Sequence, residues 1–357
     1  MPMPAPVQAR GAGGQGRSGG RSRYMKGKIL VIGGGGYLGA VLVERLLKEG
    51  YHVKILDSFI YGKRAVEKYA GNPDVEITAG DIRNIETVNI AMLDIESVIH
   101  LAAVVGDPAS KVKPELTVET NYLAAQMIAS ACRLNGINKF IYASTCSVYG
   151  MGNDLLDEDA PLNPVSLYAR TKISSEESIM SLAKGKFNPV IMRMSTLYGF
   201  SARMRFDLVV NTMTMTAFTE GKINVFGGNQ WRPLLSLEDA AEAYLKVLQT
   251  DTGSKIYNVG SEEQNYMISE VASLIGQGIK EASGKNIPIN IEGDSFDARD
   301  YRVSFKRIQT ELGFKVSHTI PQAAKEIWQK LESKEIKDPK QKVYYNHYFD
   351  SSEELIG

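Results

Sequence analysis

The chain has 357 residues, 43% of them hydrophobic, and a formal net charge of zero, so it can bury one large domain or two unequal ones and shows no sign of a nucleic-acid partner. Its two cysteines favour a reducing compartment, which predicts a cytoplasmic protein without a disulfide framework, and its four histidines show no metal-ligand spacing. No apolar run is long enough to predict a membrane span.

Residues 1–25 differ in composition from everything that follows. They are rich in Gly, Pro, Ser and Arg, contain no acidic residue and show no hydrophobic periodicity. This composition predicts a disordered leader. An Arg-rich organellar transit peptide is the alternative, and the missing amphipathic helical pattern disfavours it. An upstream start is a further possibility, because Met25 would make a normal start before the first strand.

A strand, a glycine turn and a helix follow one another from residue 28. Lys28–Ile32 is typical of a buried parallel strand, Gly33–Gly39 has the spacing G-x-x-G-x-x-G, and the apolar period predicts a helix over 37–49. Such a turn lets backbone N–H groups approach a pyrophosphate at a helix N-terminus. A second strand, expected over 52–56, ends at Asp57, whose carboxylate can accept hydrogen bonds from the adenosine ribose and would repel a 2′-phosphate. The pattern predicts that NAD, rather than NADP, binds here.

Strand-like and helix-like segments alternate beyond Asp57. Further strands are expected at 75–78, 97–101, 139–143 and 189–194, and helices near 114–135, 166–184, 206–219 and 237–249. This alternation predicts an α/β fold built on a parallel sheet.

Tyr168 and Lys172 have the i, i+4 spacing that places two side chains on one face of a helix. An ordinary phenol, with a pKa of about 10, is a poor base at neutral pH. A nearby ammonium lowers that pKa toward the range in which general acid-base catalysis is efficient. The pattern alone is weak, because Tyr-x-x-x-Lys occurs by chance in many surface helices. Thr145 adds to it, because a hydroxyl just after a strand lies at the sheet edge where α/β proteins bind ligands.

Five motifs occur in one order along the chain: Gly33–Gly39, Asp81-Ile82, His100–Ala103, Ser144–Gly150 and the Tyr168/Lys172 pair. In this respect residues 26–335 resemble the extended short-chain dehydrogenases/reductases of the nucleotide-sugar epimerase/dehydratase type. The resemblance implies a doubly wound Rossmann sheet of about seven strands and a smaller α/β substrate lobe. It places the NAD-binding domain at 26–190, with later segments at about 235–260 returning to it, the substrate lobe mainly at 191–335, and a tail at 336–357. It also implies a homodimer.

The resemblance further assigns roles to individual residues. The catalytic set would be Thr145, Tyr168 and Lys172. The NAD contacts would be Gly33, Gly36, Tyr37, Leu38, Gly39, Asp57, Asp81, Ile82, Leu101, Ala102, Ala103, Tyr168 and Lys172, with Asn121 supporting the site. A nucleotide-diphosphate sugar would contact Thr145, Thr196, Asn211, Arg232 and Arg299, although the family often has Asn where Thr196 stands. Arg203, Arg205 and Arg302 are further candidates to face the diphosphate, because guanidinium groups bind paired oxygens well.

The Ser144–Gly150 segment disfavours two reactions of related enzymes. Dehydratases that act at C4 and C6 carry an Asp-Glu pair where this chain has Cys146 and Ser147. Sugar-acid decarboxylases of the same group have Glu where Ser147 stands. Cys146 could instead act as an acid or base in a 3- or 5-epimerisation, but a buried Cys is usually a small apolar filler.

These observations predict an NAD-dependent sugar-nucleotide epimerase that transiently oxidises a sugar hydroxyl, expected at C4. A keto-sugar reductase would use the same three catalytic residues, but such reductases often use NADPH, which Asp57 should reject. A non-catalytic dinucleotide-binding regulator could share the fold. The intact set of Thr145, Tyr168 and Lys172 disfavours that reading, because a binding-only protein is free to lose those groups.

Overall fold

The structure is a computed structural model that describes residues 26–293 and 299–348. The predicted disordered leader and residues 349–357 of the predicted tail lie outside the described residues. Within the described ranges, no helix has both the length and the apolar character that crossing a bilayer requires.

The strands are organised around one large parallel sheet. Strands β1–β14 are Lys26–Ile32, Tyr51–Asp57, Val75–Ala79, Ser97–His100, Lys139–Thr145, Met151–Leu156, Asn188–Met194, Thr196–Tyr198, Ile223–Phe226, Trp231–Ser236, Lys255–Val259, Asn265–Met267, Ile289–Glu292 and Asp300–Val303. Seven of them form this sheet in the order β11-β7-β5-β4-β1-β2-β3, with every neighbouring pair parallel. The predicted Rossmann-type fold is therefore confirmed.

Both faces of the large sheet are buried, as the apolar run of β1 shows. Ile29 and Val31 contribute to the core on one face, and Leu30 and Ile32 contribute to the core on the other. Side chains alternate between the two faces of a strand, so a strand covered by helices on both sides needs apolar residues at every position. This is why β1 reads as a continuous apolar segment.

Helices cover the sheet and build the second lobe. Helices α1–α12 are Tyr37–Lys48, Arg64–Glu67, Ile85–Ala91, Asp107–Val112, Pro114–Val118, Ala124–Leu134, Leu167–Ser181, Val209–Glu220, Leu237–Gln249, Ile268–Ser283, Lys306–Leu312 and Ile320–Glu332. The helix predicted at 237–249 has those bounds. The one predicted at 114–135 is divided, because a π-helical turn at Glu119–Leu123 separates α5 from α6.

A separate apolar core lies in the second lobe. Helices α8, α10 and α12 enclose it, with Trp328 among its buried residues, and small sheets formed by β8, β10 and β12 and by β9 and β13 complete the lobe. Later parts of the chain also return to the large sheet, because β11 pairs with β7 and α9 packs beside α1. Strands of one parallel sheet end at the same edge, so the residues that follow β1, β2, β4 and β5 meet there.

Candidate active site

The glycine turn after β1 has no room for side chains. Gly33 has a φ of +87°, and a Cβ at this position would lie 2.7 Å from the backbone nitrogen of Ala102. A Cβ at Gly39 would overlap the carbonyl oxygen of Gly33. Gly36 precedes α1, and no side chain caps that helix. The N-terminus of α1 is therefore suited to an anion, because its first N–H groups have no intrahelical partner.

Asp57 at the end of β2 is bonded to this turn. Its Oδ2 accepts a hydrogen bond from the backbone N of Gly35 at 2.9 Å, and its Oδ1 accepts one from the backbone N of Phe59 at 2.8 Å. Each carboxylate oxygen can accept a further hydrogen bond, and the side chain is only partly buried. An anion site beside a free carboxylate acceptor fits the pyrophosphate and the ribose of a dinucleotide.

The predicted adenine contact at Asp81 stays a prediction. The Asp81 carboxylate accepts hydrogen bonds from the Arg83 guanidinium at 2.6 Å and 2.9 Å, while Ile82 is buried in the core. The side-chain amide of Asn121 is bonded to both the N–H and the C=O of Val104, at 2.8 Å and 2.9 Å. Asn121 therefore holds the loop after β4, which carries Leu101, Ala102 and Ala103, and its role in supporting the site stays a prediction.

The structure brings Thr145, Tyr168 and Lys172 together at the carboxyl edge of the sheet. The Thr145 hydroxyl lies close enough to the Tyr168 hydroxyl to favour the phenol's anion, and the Lys172 Nζ lies 6.0 Å from the centroid of the Tyr168 ring. Lys172 donates to the carbonyl oxygen of Ala143 at 2.7 Å and to the Tyr142 hydroxyl at 3.2 Å. Ser166 caps α7 by accepting from the backbone N of Ala169, which fixes the start of the helix that carries both catalytic candidates.

The electrostatics of Tyr168 differ from the sequence prediction, in which Lys172 lowers its pKa. Burial raises the pKa of Tyr168 to about 12, and the charge of Arg205 and the Thr145 hydrogen bond oppose that rise. Lys172 is itself buried, and burial lowers its pKa to about 7 against the opposing charge of Glu176. Part of the Lys172 population is therefore neutral near pH 7, and its effect on the phenol is correspondingly weaker.

Arg205 is the cation that most lowers the Tyr168 pKa, and the sequence had placed it only among candidates for a diphosphate. Its Nε and Nη2 bind the Asp207 carboxylate at 2.9 Å and 3.1 Å. This fork of two parallel hydrogen bonds holds the buried guanidinium in place, so its charge is preorganised to act on Tyr168.

A buried ion pair lies one helical turn beyond Lys172. Glu176 accepts from Arg193 in a fork whose shortest contact is 2.7 Å, and both side chains are only 4% exposed. Ser144 also donates to Glu176, and Arg193 donates to the Tyr149 hydroxyl at 2.9 Å. The cluster therefore joins α7 to β5 and β7 directly beneath the catalytic candidates.

Tyr301 on β14 also faces this site, and the sequence analysis missed it. Tyr301 is 2% exposed, its hydroxyl lies close enough to Ser147 for the two to interact, and the guanidinium carbon of Arg232 lies 5.7 Å from its ring centroid. Burial raises the Tyr301 pKa to about 12, so the hydroxyl stays protonated near neutral pH. The sequence around Tyr301 shows only that Tyr301 and Val303 are apolar residues two positions apart on one strand. Both are buried, and this pattern indicates burial rather than function.

Two proposed roles do not fit the structure. Asn211 is completely buried, and its amide donates to the Tyr37 hydroxyl and to the carbonyl oxygen of Arg205, both at 2.8 Å, while accepting from the backbone N of Gly199. These bonds occupy the amide inside the protein and disfavour its predicted contact with a diphosphate. The Cys146 thiol is 1% exposed and donates to the carbonyl oxygen of Arg193 at 3.2 Å, and burial raises its pKa, which disfavours the alternative acid-base role.

The remaining substrate candidates are dispersed. Arg232 is buried beside Tyr301, whereas Arg299 is partly exposed and lies 3.6 Å from the Asp107 carboxylate. Thr196 is partly buried on β8. The Tyr37 side chain is buried and donates to the carbonyl oxygen of Gly199 at 2.7 Å, so only its backbone remains suited to the predicted NAD contact.

The buried His100, at the end of β4, should lower the unfolding free energy of the protein in acid. Burial, with a contribution from Lys172, lowers the His100 pKa to about 3, against about 6.5 in the unfolded chain. Between these values the unfolded state binds a proton that the folded state does not, so folding is favoured above pH 6.5 and weakens as the pH falls. Between pH 6.5 and pH 5, the unfolding free energy of His100→Phe should fall by about 2 kcal/mol less than that of the wild type.

Urea unfolding at several pH values measures this difference. Phe should fit, because the His100 ring already lies between Phe140 and Tyr142, at centroid distances of 6.3 Å and 5.5 Å. The control is His52→Phe, which changes a partly exposed histidine at the opposite edge of the sheet. Equal acid sensitivity in the wild type and His100→Phe would refute the expectation.

The chain is similar to known proteins of one family. The model of the NAD dependent epimerase/dehydratase family matches residues 29–260. A UDP-glucose 4-epimerase of Corynebacterium glutamicum is 26% identical over 313 residues, which cover 82% of this chain and 92% of that protein. A UDP-N-acetyl-alpha-D-glucosaminuronate decarboxylase of Bacillus cytotoxicus is 32% identical over 279 residues, which cover 75% of this chain and 85% of that protein.

A solved structure shows the same likeness in three dimensions. The UDP-glucuronic acid 4-epimerase of Bacillus cereus, in complex with UDP-glucuronic acid and NAD, has a TM-score of 0.75 and 25% identity, covering 86% of this chain and 99% of that chain. The glycine turn and Asp57 fit the NAD that the family requires. The chain belongs to the NAD dependent epimerase/dehydratase family, and its cofactor is NAD.

Proposed function

We propose that the protein is an NAD-dependent nucleotide-sugar 4-epimerase. The observation that carries the proposal is the grouping of Thr145, Tyr168 and the buried Lys172 at the carboxyl edge of the sheet. This arrangement supports reversible proton exchange with a sugar hydroxyl. Elimination and decarboxylation are less well supported, because Cys146 and Ser147 provide no carboxylate next to Thr145.

In the proposed reaction, Thr145 orients the sugar hydroxyl and Tyr168 accepts its proton. NAD, held by the glycine turn and Asp57, would supply reversible hydride transfer at the same sugar carbon, and return of the hydride to the opposite face would give the epimer. Tyr168 then gives the proton back, so the net redox change is zero. The protonated form of Lys172 and the fixed charge of Arg205 stabilise the Tyr168 anion while it holds no proton.

The substrate proposed for this site is a nucleotide-diphosphate sugar. Ser147 and Tyr301 would contact the sugar, because both hydroxyls lie beside the catalytic candidates. Arg232 would bind the diphosphate, since a guanidinium matches paired phosphate oxygens. The UDP-glucose and UDP-glucuronic acid 4-epimerases among the similar proteins support this substrate class.

We also propose that residues 26–190 and 235–260 form the NAD-binding domain, and that 191–335 form most of the substrate lobe. The pairing of β11 with β7 supports the return of the later segment. Homodimerisation and a cytoplasmic location are proposed from the family resemblance. The exposed apolar side chains of Val118 and Leu123, near the junction of α5 and α6, suit a helix-mediated dimer.

The function is tested by incubating the purified protein, without added cofactor, with UDP-, dTDP-, GDP- and CDP-sugars and following the sugar ring protons by NMR. We expect one sugar to convert to its 4-epimer until both forms are at equilibrium. Conversion without added cofactor would show that NAD is retained and regenerated. Absence of conversion, together with NADH- or NADPH-dependent consumption of a 4-keto sugar, would replace the proposal with a reductase.

A further inference from the structure

Arg203, in the loop between β8 and α8, is buried and has no carboxylate partner among the residues that the structure describes. Its side chain is 5% exposed, its guanidinium carbon lies 3.8 Å from the centroid of the Tyr61 ring, and its Nη2 donates to the Asn346 Oδ1 at 2.6 Å. In the described part of the chain its Nε has no hydrogen-bond partner and no carboxylate lies within ion-pair distance. A charge buried in this way is costly unless an anion compensates it.

The contacts of Arg203 place it above the end of β1. Tyr61 belongs to the loop after β2, and the Asn346 amide also donates to the carbonyl oxygen of Val105, in the loop after β4, at 3.3 Å. Strand β1 lies between β2 and β4 in the sheet. A side chain that lies between those two loops therefore lies over the glycine turn that follows β1.

The loop that carries Arg203 is also attached to the N-terminus of α1. The Ser201 hydroxyl donates to the carbonyl oxygen of Tyr37, the first residue of α1, at 2.8 Å. On the other side of Arg203, Asn211 joins the carbonyl oxygen of Arg205 to the Tyr37 hydroxyl. Both anchors point to the same place, the helix N-terminus at which a pyrophosphate is bound.

The segment 336–348, here called the C-terminal strap, holds Arg203 in position through Asn346. The backbone N of Asn346 donates to the Asp207 carboxylate at 3.0 Å, and its backbone O accepts from the Tyr61 hydroxyl at 3.4 Å. With the side-chain bonds to Arg203 and Val105, this one buried residue joins three loops. The carbonyl oxygen of Tyr344 adds a further attachment by accepting from the backbone N of Phe206 at 2.9 Å.

We propose that Arg203 is the counter-charge of the NAD pyrophosphate, and that Asn346 of the C-terminal strap positions it there and thereby slows the release of NAD. The N–H groups of α1 supply hydrogen bonds on one side of the pyrophosphate, and Arg203 supplies a full positive charge on the other. Burial, with the charge of Arg205, lowers the Arg203 pKa only to about 10, so the guanidinium remains charged at neutral pH. This inference concerns the cofactor and holds whichever sugar the enzyme uses.

The first test measures NAD exchange rather than turnover. Holoenzyme loaded with isotope-labelled NAD is diluted into unlabelled NAD, and retained label is followed with time. We expect Arg203→Gln to speed exchange about 10- to 100-fold, the effect of losing a charge-assisted contact. Arg45→Gln is the matched control, because it removes the same charge at the far end of α1. Exchange from Arg203→Gln within twofold of the wild type overturns the proposal.

A competition series distinguishes pyrophosphate binding from a general loosening of the site. Adenosine lacks phosphates, whereas ADP carries a pyrophosphate. Loss of the Arg203 charge should weaken the binding of NAD and of ADP by the same factor, so the ADP concentration that displaces labelled NAD should not change. The binding of adenosine should be unaffected, so adenosine should become about tenfold more effective in displacing the weakened NAD. If adenosine gains nothing, because its own binding is equally weakened, Arg203 acts on the fold and the proposal fails.

The role of Asn346 is tested by combining substitutions. Asn346→Ala should also speed exchange, and the double variant with Arg203→Gln should exchange no faster than Arg203→Gln alone, because Asn346 acts through Arg203. Multiplied effects in the double variant would overturn the positioning role. If Arg203→Gln does not fold, the variant Arg203→Lys is used, because it keeps the charge but loses the guanidinium N–H donors. An exchange rate for Arg203→Lys between those of the wild type and Asn346→Ala supports the proposal, and a wild-type rate for both variants overturns it.

Discussion

Replacement of Tyr168 by Phe should lower kcat by about 10²- to 10⁴-fold, the range typical of losing a general acid-base group. The substitution removes only the hydroxyl that lies beside Thr145, so the buried ring should keep its packing. NAD should remain bound, because the glycine turn and Asp57 are unchanged. Initial rates by NMR and the NAD content after acid release measure both quantities.

The matched control for Tyr168→Phe is Tyr51→Phe. Tyr51 is a mostly buried tyrosine at the start of β2, which is the edge of the sheet away from the candidate site. This variant should keep wild-type rates. If Tyr168→Phe epimerises within threefold of the wild type, another group takes the proton and the proposed mechanism is wrong.

Replacement of Glu176 by Gln should cost about 3–5 kcal/mol of unfolding free energy, because it leaves Arg193 buried without its counter-charge. The fork between these side chains is completely enclosed, so water cannot replace the lost carboxylate. Denaturant unfolding gives the free energy directly. Glu176 also opposes the lowering of the Lys172 pKa. Without the Glu176 charge the Lys172 pKa should fall further, so as the pH is raised the variant should lose activity at a lower pH than the wild type does.

Two further variants make the Glu176 prediction specific. Glu177→Gln removes the same charge from the exposed neighbouring position on α7 and should change stability by no more than about 0.5 kcal/mol. The double variant Glu176→Leu/Arg193→Met replaces both charges with apolar groups and should recover much of the loss. A loss below about 1 kcal/mol in Glu176→Gln would show that the ion pair contributes little.

Those parts of the fold that depend on local patterns were predictable from the sequence. The apolar run of β1, the glycine spacing and the acid after β2 are neighbours in the chain, so a turn and a strand period are enough to recognise them. The spacing of Tyr168 and Lys172 is likewise local. The predicted helix at 237–249 succeeded for the same reason, since its apolar period is clear and Ser236 supplies a cap.

The rest depended on contacts between distant parts of the chain. Glu176 lies four residues after Lys172 in the sequence, but its partner Arg193 is on another element, and only the sheet brings them together. Burial, which sets the direction of the Tyr168 and Lys172 pKa shifts, is also a property of the whole fold. Tyr301 could not be recognised because nothing in its own segment shows that β14 pairs with β6 beside the catalytic candidates.

The order in which the ribosome delivers these parts has a consequence for assembly. The glycine turn and Asp57 are made early, and the early strands β1, β2 and β4 are neighbours in the sheet. The edge strand β11 is made much later, and Asn346, which joins the loops above the turn, later still. A nascent chain can therefore form the glycine turn and Asp57 long before Asn346 joins the loops above them. Secure retention of NAD should therefore require synthesis as far as Asn346, and a chain truncated before Asn346 should fold but release its cofactor faster.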